Sequence, residues 1–286
     1  MVLIKSVSET KLKECHFSGP IGRLSQLSNV CDSGEFDAAI FDETGVFIIR
    51  NVFEAATIEQ YRKRFYQLYV KQGTRDKFNH VSMECEDPQL RSLAKNKKLI
   101  TIMSKIFGES LALFNFRFVV KDENNYGAVF AHNDVCYHLG FLDRVSAFVP
   151  ITPVNPRNGG MEYFLGTHKF GYMGDAGELN VDYLESGWPS IAPSVMPGDL
   201  IIMHSALWHR SGTNFSKEDR VIADIHFQPA NDPSGSELVS GEWETEYRFP
   251  HHKTQEFFVR SRISRMIELE NEVKALKSQI SQLSVS

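Results

Sequence analysis

Apolar residues recur at helical spacing between positions 57 and 73 and predict an amphipathic helix. Its apolar positions are Ile58, Tyr61, Phe65 and Leu68. Thr57 and Gln60 have the spacing of a capping box, and Gly73 is placed to end the element. We therefore expect a helix that begins at Thr57 and buries one face.

A second helix is predicted from Asp87 to the residue before Gly108. Pro88 occupies the favoured first helical position. The apolar positions that follow it are Leu90, Leu93, Ile100, Met103 and Phe107. We expect these two helices to be the first elements of the fold and to pack outside a core formed by later residues.

The pattern changes from Leu111 to about Pro229, where short β-branched and aromatic runs alternate with Gly, Pro and Asn. The predicted strands are Leu111–Lys121, Gly127–Asp134, Arg144–Ile151, Met161–Leu165, Asp199–His204 and Arg220–Gln228. Such a pattern is typical of an antiparallel sandwich or barrel. We expect a mainly β fold with flanking helices, built on an eight-stranded jelly roll (a double-stranded β-helix, cupin-like) and followed by a C-terminal helix.

The C-terminal segment carries a heptad pattern. One seven-residue series is Met266, Val273 and Ile280, and the other is Leu269, Leu276 and Leu283. β-branched residues at two a positions with leucine at each d position favour a parallel pair of helices. Two interpretations stay open: a short coiled coil that makes the chain a homodimer, or a single amphipathic helix docked on its own domain.

These patterns predict one main domain followed by a terminal helix. With 286 residues, 42% of them apolar and 12% aromatic, the chain can bury one large core. We expect the domain to span residues 1–260, with a jelly-roll core at about 111–229 and helical support at 54–108. The terminal helix is expected at residues 261–286.

Charge and cysteine content narrow the classes of partner and compartment. A formal net charge of -5 and a pI near 6.1 provide no broad basic surface for a phosphate backbone, so nucleic acid is not expected as a partner. No apolar run is long enough for a signal-peptide core or a membrane span. The four cysteines are scattered and predict reduced thiols. We therefore expect a cytoplasmic protein without a membrane partner.

His132 and Asp134 are the first candidate metal ligands. They lie two residues apart in a predicted strand, so both side chains are expected on one face. An imidazole and a carboxylate at adjacent positions occupy neighbouring corners of a metal, and a histidine from a facing strand completes a facial triad. His204 and His209 both qualify for the third position. We favour His209 because Ser-Gly-Thr-Asn follows it closely and Arg220 lies eleven residues beyond it.

Three stretches of the chain match a known pattern when they are taken together with Arg220. They are AHND around His132, PVNPRNGGMEYFLGTHKFG, and PGDLIIMHSALWHRSGTN around His209. This combination resembles the phytanoyl-CoA dioxygenase family of iron(II)- and 2-oxoglutarate-dependent oxygenases, over roughly Asp42 to Pro229. The chain departs from the family at residues 165–168, Leu-Gly-Thr-His, where the family often has Pro-Gly-Ser-His.

The resemblance implies roles for specific residues. His132, Asp134 and His209 correspond to the iron ligands of the family. Ser211 and Arg220 correspond to the residues that hold the distal carboxylate of 2-oxoglutarate, which agrees with the match between a planar guanidinium and a carboxylate. Fe(II), 2-oxoglutarate and O2 are the implied cofactors and cosubstrates.

The resemblance also implies a reaction. We expect hydroxylation of an unactivated C–H bond in a small-molecule metabolite, with succinate and CO2 as co-products. The alternatives are desaturation, epimerisation or cyclisation by the same oxidising chemistry, or a catalytically silent jelly roll that binds a metabolite.

Strand alternation and loop position suggest further contacts. Asn115 and Arg117 share one face of their strand and are candidates for orienting 2-oxoglutarate or substrate, and alternation from Arg220 places Asp224 and His226 on the cavity face. An internal hydrogen bond is the alternative role for Asp224 and His226. The loop candidates for a substrate pocket are Tyr126, Tyr137, His138 and Trp188.

Overall fold

The computed structural model describes residues 19–70, 81–135, 138–171 and 187–249, together with 264–265, 267–269 and 271–280 of the C-terminal segment. Helices lie mainly in the first 107 residues, and strands make up most of the rest. We number the α-helices in chain order as α1 Ile21–Leu27, α2 Ala38–Thr44, α3 Ala55–Leu68, α4 Pro88–Arg91 and α5 Lys97–Phe107. Short 3-10 turns at Ser92–Lys95 and Thr167–Phe170 complete the set.

The helix predicted from Thr57 is present, but its predicted start is wrong. α3 begins at Ala55, after Glu54, so Thr57 lies inside the first turn and no side chain caps the helix. The helix ends at Leu68 because Tyr69 adopts an extended conformation. Gly73 lies outside the described residues.

The helix predicted from Asp87 to Gly108 is interrupted. Asp87 does cap its start, since its Oδ1 accepts a hydrogen bond from the backbone N–H of Leu90 at 3.0 Å. Asn96 is extended, with ψ of 128°, and its side chain accepts from Lys98 N at 3.0 Å to cap a new helix. Asparagine competes with the helical backbone for hydrogen bonds, so this residue divides the apolar pattern into α4 and α5.

Two short helices precede α3, so the expectation that the two predicted helices come first is wrong. The Asp37 side chain caps α2, accepting from Ala39 N at 2.9 Å and Ile40 N at 3.1 Å. Gly45 ends α2 in the left-handed conformation, with φ of 75°. Each helix has seven residues, too few to show a clear period in the sequence.

The strands form two sheets. In chain order they are β1 Asp32–Ser33, β2 Val46–Ile49, β3 Val81–Glu84, β4 Leu111–Lys121, β5 Val129–His132, β6 Val145–Pro150, β7 Met161–Phe164, β8 Ser190–Ile191, β9 Leu200–His204, β10 His209–Ser211, β11 Arg220–Pro229 and β12 Glu237–Ser240. The larger sheet has the order β1-β2-β9-β6-β11-β4-β12, with β3 also paired to β4, and the smaller has the order β5-β10-β7-β8. The described pairs are antiparallel except β1 with β2.

This architecture confirms the predicted mainly β fold with flanking helices. All six predicted strands are present, with ends shifted by up to two residues. The larger sheet extends beyond the predicted core of residues 111–229, because β1, β2, β3 and β12 join its edges. These strands have two to four residues, too few for alternation to reveal them.

The larger sheet is buried on both faces, and this places the cavity described below. On one face, Ile202, Ala223 and Ile225 pack with the helices, whose contacts include Phe65 of α3 and Met103 of α5. On the other face, residues of β2, β9 and β11 pack with β7 and the segment before β10; they include Ile48, Met203, Ile222, Tyr163 and Trp208. Residues 220–228 of β11 are therefore all buried.

The C-terminal segment contains a helix whose described side chains are exposed. Residues 271–280 are helical, and Leu269, Val273, Leu276 and Ile280 of the heptad series have exposed fractions between 44% and 65%. The interpretation as a helix docked on its own domain is therefore wrong for these positions. Met266 and Leu283 lie outside the described residues. In the part of the chain that the structure covers, no helix is both long and apolar enough to span a bilayer.

Candidate metal centre

Three predicted ligands converge between the two sheets. His132 ends β5 and His209 begins β10, and the two are register partners with ring centroids 4.3 Å apart. Asp134 Oδ1 lies 3.7 Å from His132 Nε2 and 4.0 Å from His209 Nε2. One ligand atom from each residue lies within 4.8 Å of the other two, and no other His, Cys, Asp or Glu group of that kind occurs among the described residues.

Backbone carbonyls determine the tautomer of both histidines. His132 Nδ1 lies 2.8 Å from the carbonyl oxygen of Phe130, and His209 Nδ1 lies 2.9 Å from that of Leu207. A carbonyl oxygen only accepts, so each Nδ1 carries the proton and each Nε2 presents a lone pair. Burial lowers the pKa of both imidazoles to about 4, and the neighbouring His209 lowers that of His132 further. Both rings are therefore neutral at pH 7, the form that binds a metal.

Asp134 lies near the two histidines, but it is positioned by a turn and not by the predicted strand. β5 ends at His132, so Asp134 lies in the following turn rather than in a continuing strand. Its backbone N–H donates to the Ser205 carbonyl at 2.8 Å, which fixes the turn against the segment that leads to His209. Convergence of the ligands therefore depends on this tertiary hydrogen bond as well as on local spacing.

Arg220 points into the same cavity with its charge unpaired. The residue is 2% exposed, and its Nε has no hydrogen-bond partner among the described residues. No described carboxylate lies within ion-pair distance of its guanidinium; burial lowers the pKa of this group to about 10. A buried cation without a counter-ion is costly unless a ligand supplies one. Ser211, 8% exposed, lines the cavity beside it.

Lys121 is a further buried basic residue that the sequence interpretation missed. It is the register partner of Arg220 on the neighbouring strand and is 0% exposed. Its Nζ donates to Ser211 Oγ at 2.9 Å and also to the Gly212 carbonyl. Strand alternation from Arg117 places Lys121 on the cavity face, a signal that was available in the sequence.

Arg117 and Asp224 form an ion pair inside the cavity, with Arg117 Nε 2.7 Å from Asp224 Oδ2. Burial raises the pKa of Asp224, but the charges of His226 and Arg117 outweigh burial and hold it well below its usual range. Of the residues that alternation from Arg220 places on one face, Ile222 and Asp224 line the cavity together with Arg220.

The other alternation candidates lie beyond the cavity lining. His226 is 0% exposed, and its Nε2 lies 2.9 Å from Asp224 Oδ1. Asn115 pairs with His226 across the strands, and its Oδ1 is buried with no partner among the described residues. Both residues therefore adjoin the Arg117–Asp224 pair instead of the metal ligands.

The structure does not bring the loop candidates to the cavity. Trp188 is 6% exposed and packs on Phe170. Its indole N–H donates to the Leu165 carbonyl at 3.0 Å, so Trp188 belongs to the core. Tyr126 is 54% exposed, and His138 packs between Phe114 and His226. Tyr137 lies outside the described residues.

His204 lies away from the triad. Its Nε2 is 3.9 Å from Asp143, and its ring is 5.1 Å from that of His168. These residues line a separate cleft beside α2 and α5. The geometry therefore agrees with the choice of His209 as the third candidate ligand.

The cavity itself lies between the two sheets. Its apolar walls are Val119, Val129, Phe148, Met161 and Ile222. The cavity therefore brings the candidate metal ligands His132, Asp134 and His209 together with the guanidinium of Arg220, within apolar walls.

Known structures with this fold include metal- and keto-acid-bound proteins. The epimerase SnoN, solved with Fe3+, alpha ketoglutarate and nogalamycin RO, is 18% identical, with a TM-score of 0.60 over 80% of this chain and 98% of SnoN. EctD from S. alaskensis, solved with 2-oxoglutarate and 5-hydroxyectoine, is 20% identical, with a TM-score of 0.61 over 73% of this chain and 85% of EctD. HygX from Streptomyces hygroscopicus, solved with nickel and 2-oxoglutarate, is 18% identical, with a TM-score of 0.55 over 68% and 88%. At these identities the similarity establishes the fold alone.

No curated protein matches the chain. The family model for phytanoyl-CoA dioxygenase (PhyH) matches residues 41–222, well over half of the chain. This stretch contains the three candidate metal ligands and Arg220, and the match confirms the resemblance found in the sequence. The chain therefore belongs to the phytanoyl-CoA dioxygenase (PhyH) family.

Proposed function

We propose that the protein is an iron(II)- and 2-oxoglutarate-dependent dioxygenase that hydroxylates an unactivated C–H bond of a small-molecule metabolite. One observation carries this proposal: a His-Asp-His cluster and a buried guanidinium without an acidic partner share one cavity. The cluster supplies metal ligands, and the buried guanidinium is stabilised when an anion binds beside it. A cosubstrate with a carboxylate at each end of a short chain satisfies both at once.

His132, Asp134 and His209 would hold the iron. Two neutral imidazoles and one carboxylate form the donor set of a facial triad, which leaves coordination positions for cosubstrate and O2. Iron bound there supplies oxidising power for C–H cleavage, as O2 and 2-oxoglutarate are converted with release of succinate and CO2. The backbone carbonyls at Phe130 and Leu207 keep both Nε2 atoms directed to the cluster.

Arg220 and Ser211 would hold the distal carboxylate of 2-oxoglutarate. Because Arg220 is already desolvated, an arriving carboxylate gains a charge-assisted hydrogen bond in a medium where such bonds are strong. The apolar walls exclude water from the space between this carboxylate and the metal ligands. They also suit an apolar C–H segment of the substrate.

Arg117 would help to orient cosubstrate or substrate, whereas Asn115 lies beyond the cavity lining. The Arg117 side chain is 30% exposed, and Asp224 holds it in the cavity through its Nε. Among the described residues its terminal nitrogens make no hydrogen bond, so they are available to donate. Asp224 and His226 are then supports for Arg117 rather than substrate contacts.

Two other outcomes compete with hydroxylation. The fold also occurs in SnoN, whose description as an epimerase shows that the architecture accommodates a different outcome. A silent binding protein is disfavoured, since a protein that binds no metal gains nothing from two desolvated imidazoles facing a buried carboxylate.

Replacing His209 is expected to abolish iron binding. Under anaerobic conditions, wild-type protein with Fe(II) and 2-oxoglutarate should develop a weak visible charge-transfer band, and His209→Ala should lose both the band and the bound iron. His204→Ala is the matched control and should keep both, because His204 lies in the separate cleft. The reverse result would show that His204 is the ligand.

Replacing Arg220 is expected to weaken 2-oxoglutarate binding without loss of iron. Removing one partner of a buried charge pair costs about 2–5 kcal/mol, so Arg220→Met should raise the Kd for 2-oxoglutarate by about 30-fold or more. Arg210→Met is the control, since Arg210 is 47% exposed and pairs with Glu162 on the outer face. An unchanged Kd in Arg220→Met, measured by titrating the visible band, would contradict the cosubstrate assignment.

Isotope labelling separates hydroxylation from its alternatives. The protein would be incubated with a metabolite extract, 2-oxoglutarate and 18O2, and both succinate and products would be analysed by mass spectrometry. Hydroxylation predicts a product that carries one 18O atom. An unlabelled product would indicate desaturation, epimerisation or cyclisation, and absence of substrate-dependent succinate with every fraction would favour the silent binding protein.

A further inference from the structure

We infer that Lys121 is a positioning residue for the cosubstrate: it holds Ser211 as a hydrogen-bond donor toward the distal carboxylate and adds a second positive charge beside Arg220. This inference rests on the proposed function. It extends that function, because the sequence interpretation assigned no role to this residue.

The hydrogen bonds of Lys121 determine what Ser211 can do. Lys121 Nζ donates to Ser211 Oγ and to the Gly212 carbonyl. In the protonated form the Lys121 ammonium has only donors, so the Ser211 oxygen accepts from it and the Ser211 hydrogen is available for another acceptor. Ser211 lines the cavity together with Arg220. A carboxylate beside Arg220 is therefore the acceptor that completes the arrangement.

The absence of a side chain at Gly159 leaves space for the Lys121 side chain. A Cβ atom on Gly159 would lie 2.8 Å from Lys121 Cδ, and Gly159 has φ of 82°, so only glycine suits this position. The lysine stem passes over the Asn-Gly-Gly turn at residues 158–160. Asn214 Nδ2 also donates to the Lys121 carbonyl at 3.3 Å. Lys121 is thus enclosed by three segments and directed to Ser211.

In the part of the chain that the structure describes, no carboxylate forms an ion pair with Lys121. The neighbouring β11 presents Arg220, β10 presents the Ser211 hydroxyl and the Gly212 carbonyl, and Gly159 has no side chain. Tyr163, across the cavity, interacts with Arg220 and is held neutral by burial. Burial and the charge of Arg220 lower the pKa of Lys121 to about 6. An anion bound between the two groups opposes both effects and raises that pKa.

A comparison of two keto acids tests the role of Lys121. The Fe(II)-loaded protein would be titrated anaerobically with 2-oxoglutarate and with 2-oxopentanoate, which has the same chain but no distal carboxylate. Lys121→Met should reduce the preference for 2-oxoglutarate by about tenfold, the effect of losing one hydrogen bond to a charged group, and leave 2-oxopentanoate binding and iron content unchanged. Lys63→Met, on an exposed face of α3, is the control.

Proton uptake by the wild-type protein provides a second test that needs no variant. At about pH 7.5 free Lys121 is mostly deprotonated, so binding of 2-oxoglutarate should take up protons and its affinity should fall as pH rises above the free pKa. Calorimetric titration of the Fe(II)-loaded protein in buffers of different ionisation enthalpy measures this uptake. 2-Oxopentanoate should cause none.

The outcomes separate this inference from the proposed function. Wild-type protein that binds neither keto acid overturns both. Wild-type protein that binds 2-oxoglutarate overturns only the inference if Lys121→Met keeps the full preference, or if proton uptake is the same for both keto acids.

We propose, from an independent observation, that the C-terminal helix pairs in parallel with that of a second copy of this chain. This would leave residues 1–260 as the catalytic unit and residues 261–286 as an association segment. The exposed seam formed by Leu269, Val273, Leu276 and Ile280 has no cover in the described chain. Its heptad spacing matches knobs-into-holes packing.

Charge complementarity identifies the occupant and its direction. With Val273 at an a position, the g position Glu272 faces the partner's Lys277 at e in a parallel pair. This contact joins opposite charges. Within one helix, Glu272 pairs with Arg265 at exposed positions, so little energy opposes the new contact.

Charge reversal tests the parallel pair in the full-length chain. Sedimentation equilibrium should give a mass above 32.6 kDa that rises with concentration. Glu272→Lys should weaken association through repulsion by the partner's Lys277, and Glu272→Lys combined with Lys277→Glu should restore it. Lys274→Glu, outside the seam, is the control. A mass of 32.6 kDa at every concentration overturns the proposal, as does a double variant that associates as weakly as the single one.

Discussion

A positive charge buried between two sheets without a negative partner is the constraint on which the site depends. Arg220 begins a strand whose first nine residues are all buried, because helices cover one face of the larger sheet and the smaller sheet covers the other. Such burial costs several kcal/mol for an unpaired ion. The favourable interactions of the rest of the fold offset this cost, and binding of an anionic ligand reduces it. The cavity is therefore prepared for a carboxylate before one arrives.

The same desolvation prepares the metal ligands. Burial keeps His132 and His209 neutral, and the carbonyls two residues earlier in the chain fix which nitrogen carries the proton. Asp134 joins them through a backbone contact with Ser205. The Arg117–Asp224 pair shows the contrasting case, in which a buried cation already has its counter-ion. Only the paired cation is satisfied by the protein itself, which distinguishes the two arginines in one cavity.

Proteins that share this fold differ in what they are described as doing. Structures with this architecture include an epimerase and a protein solved with a hydroxylated compound. His132, His209 and Arg220 lie on strands, whereas Asp134 lies in the turn after β5. Among the aromatic candidates, Trp188 belongs to the core and Tyr126 is exposed to solvent. Residue type alone does not identify a substrate contact.

The sequence by itself predicted the mainly β fold and six of its strands, because the alternation of side chains is a local property. Motif spacing also predicted the three residues that the structure brings together as candidate metal ligands. Only the tertiary structure decided the rest. Asn96 divides a helix whose apolar period is continuous, and strands of two to four residues join the sheet through pairing with distant segments. Lys121 has the same alternation signal as Arg117, yet its importance arises from being opposite Arg220 and bonded to Ser211. Contacts between segments far apart in the chain create these features, and no local pattern encodes them.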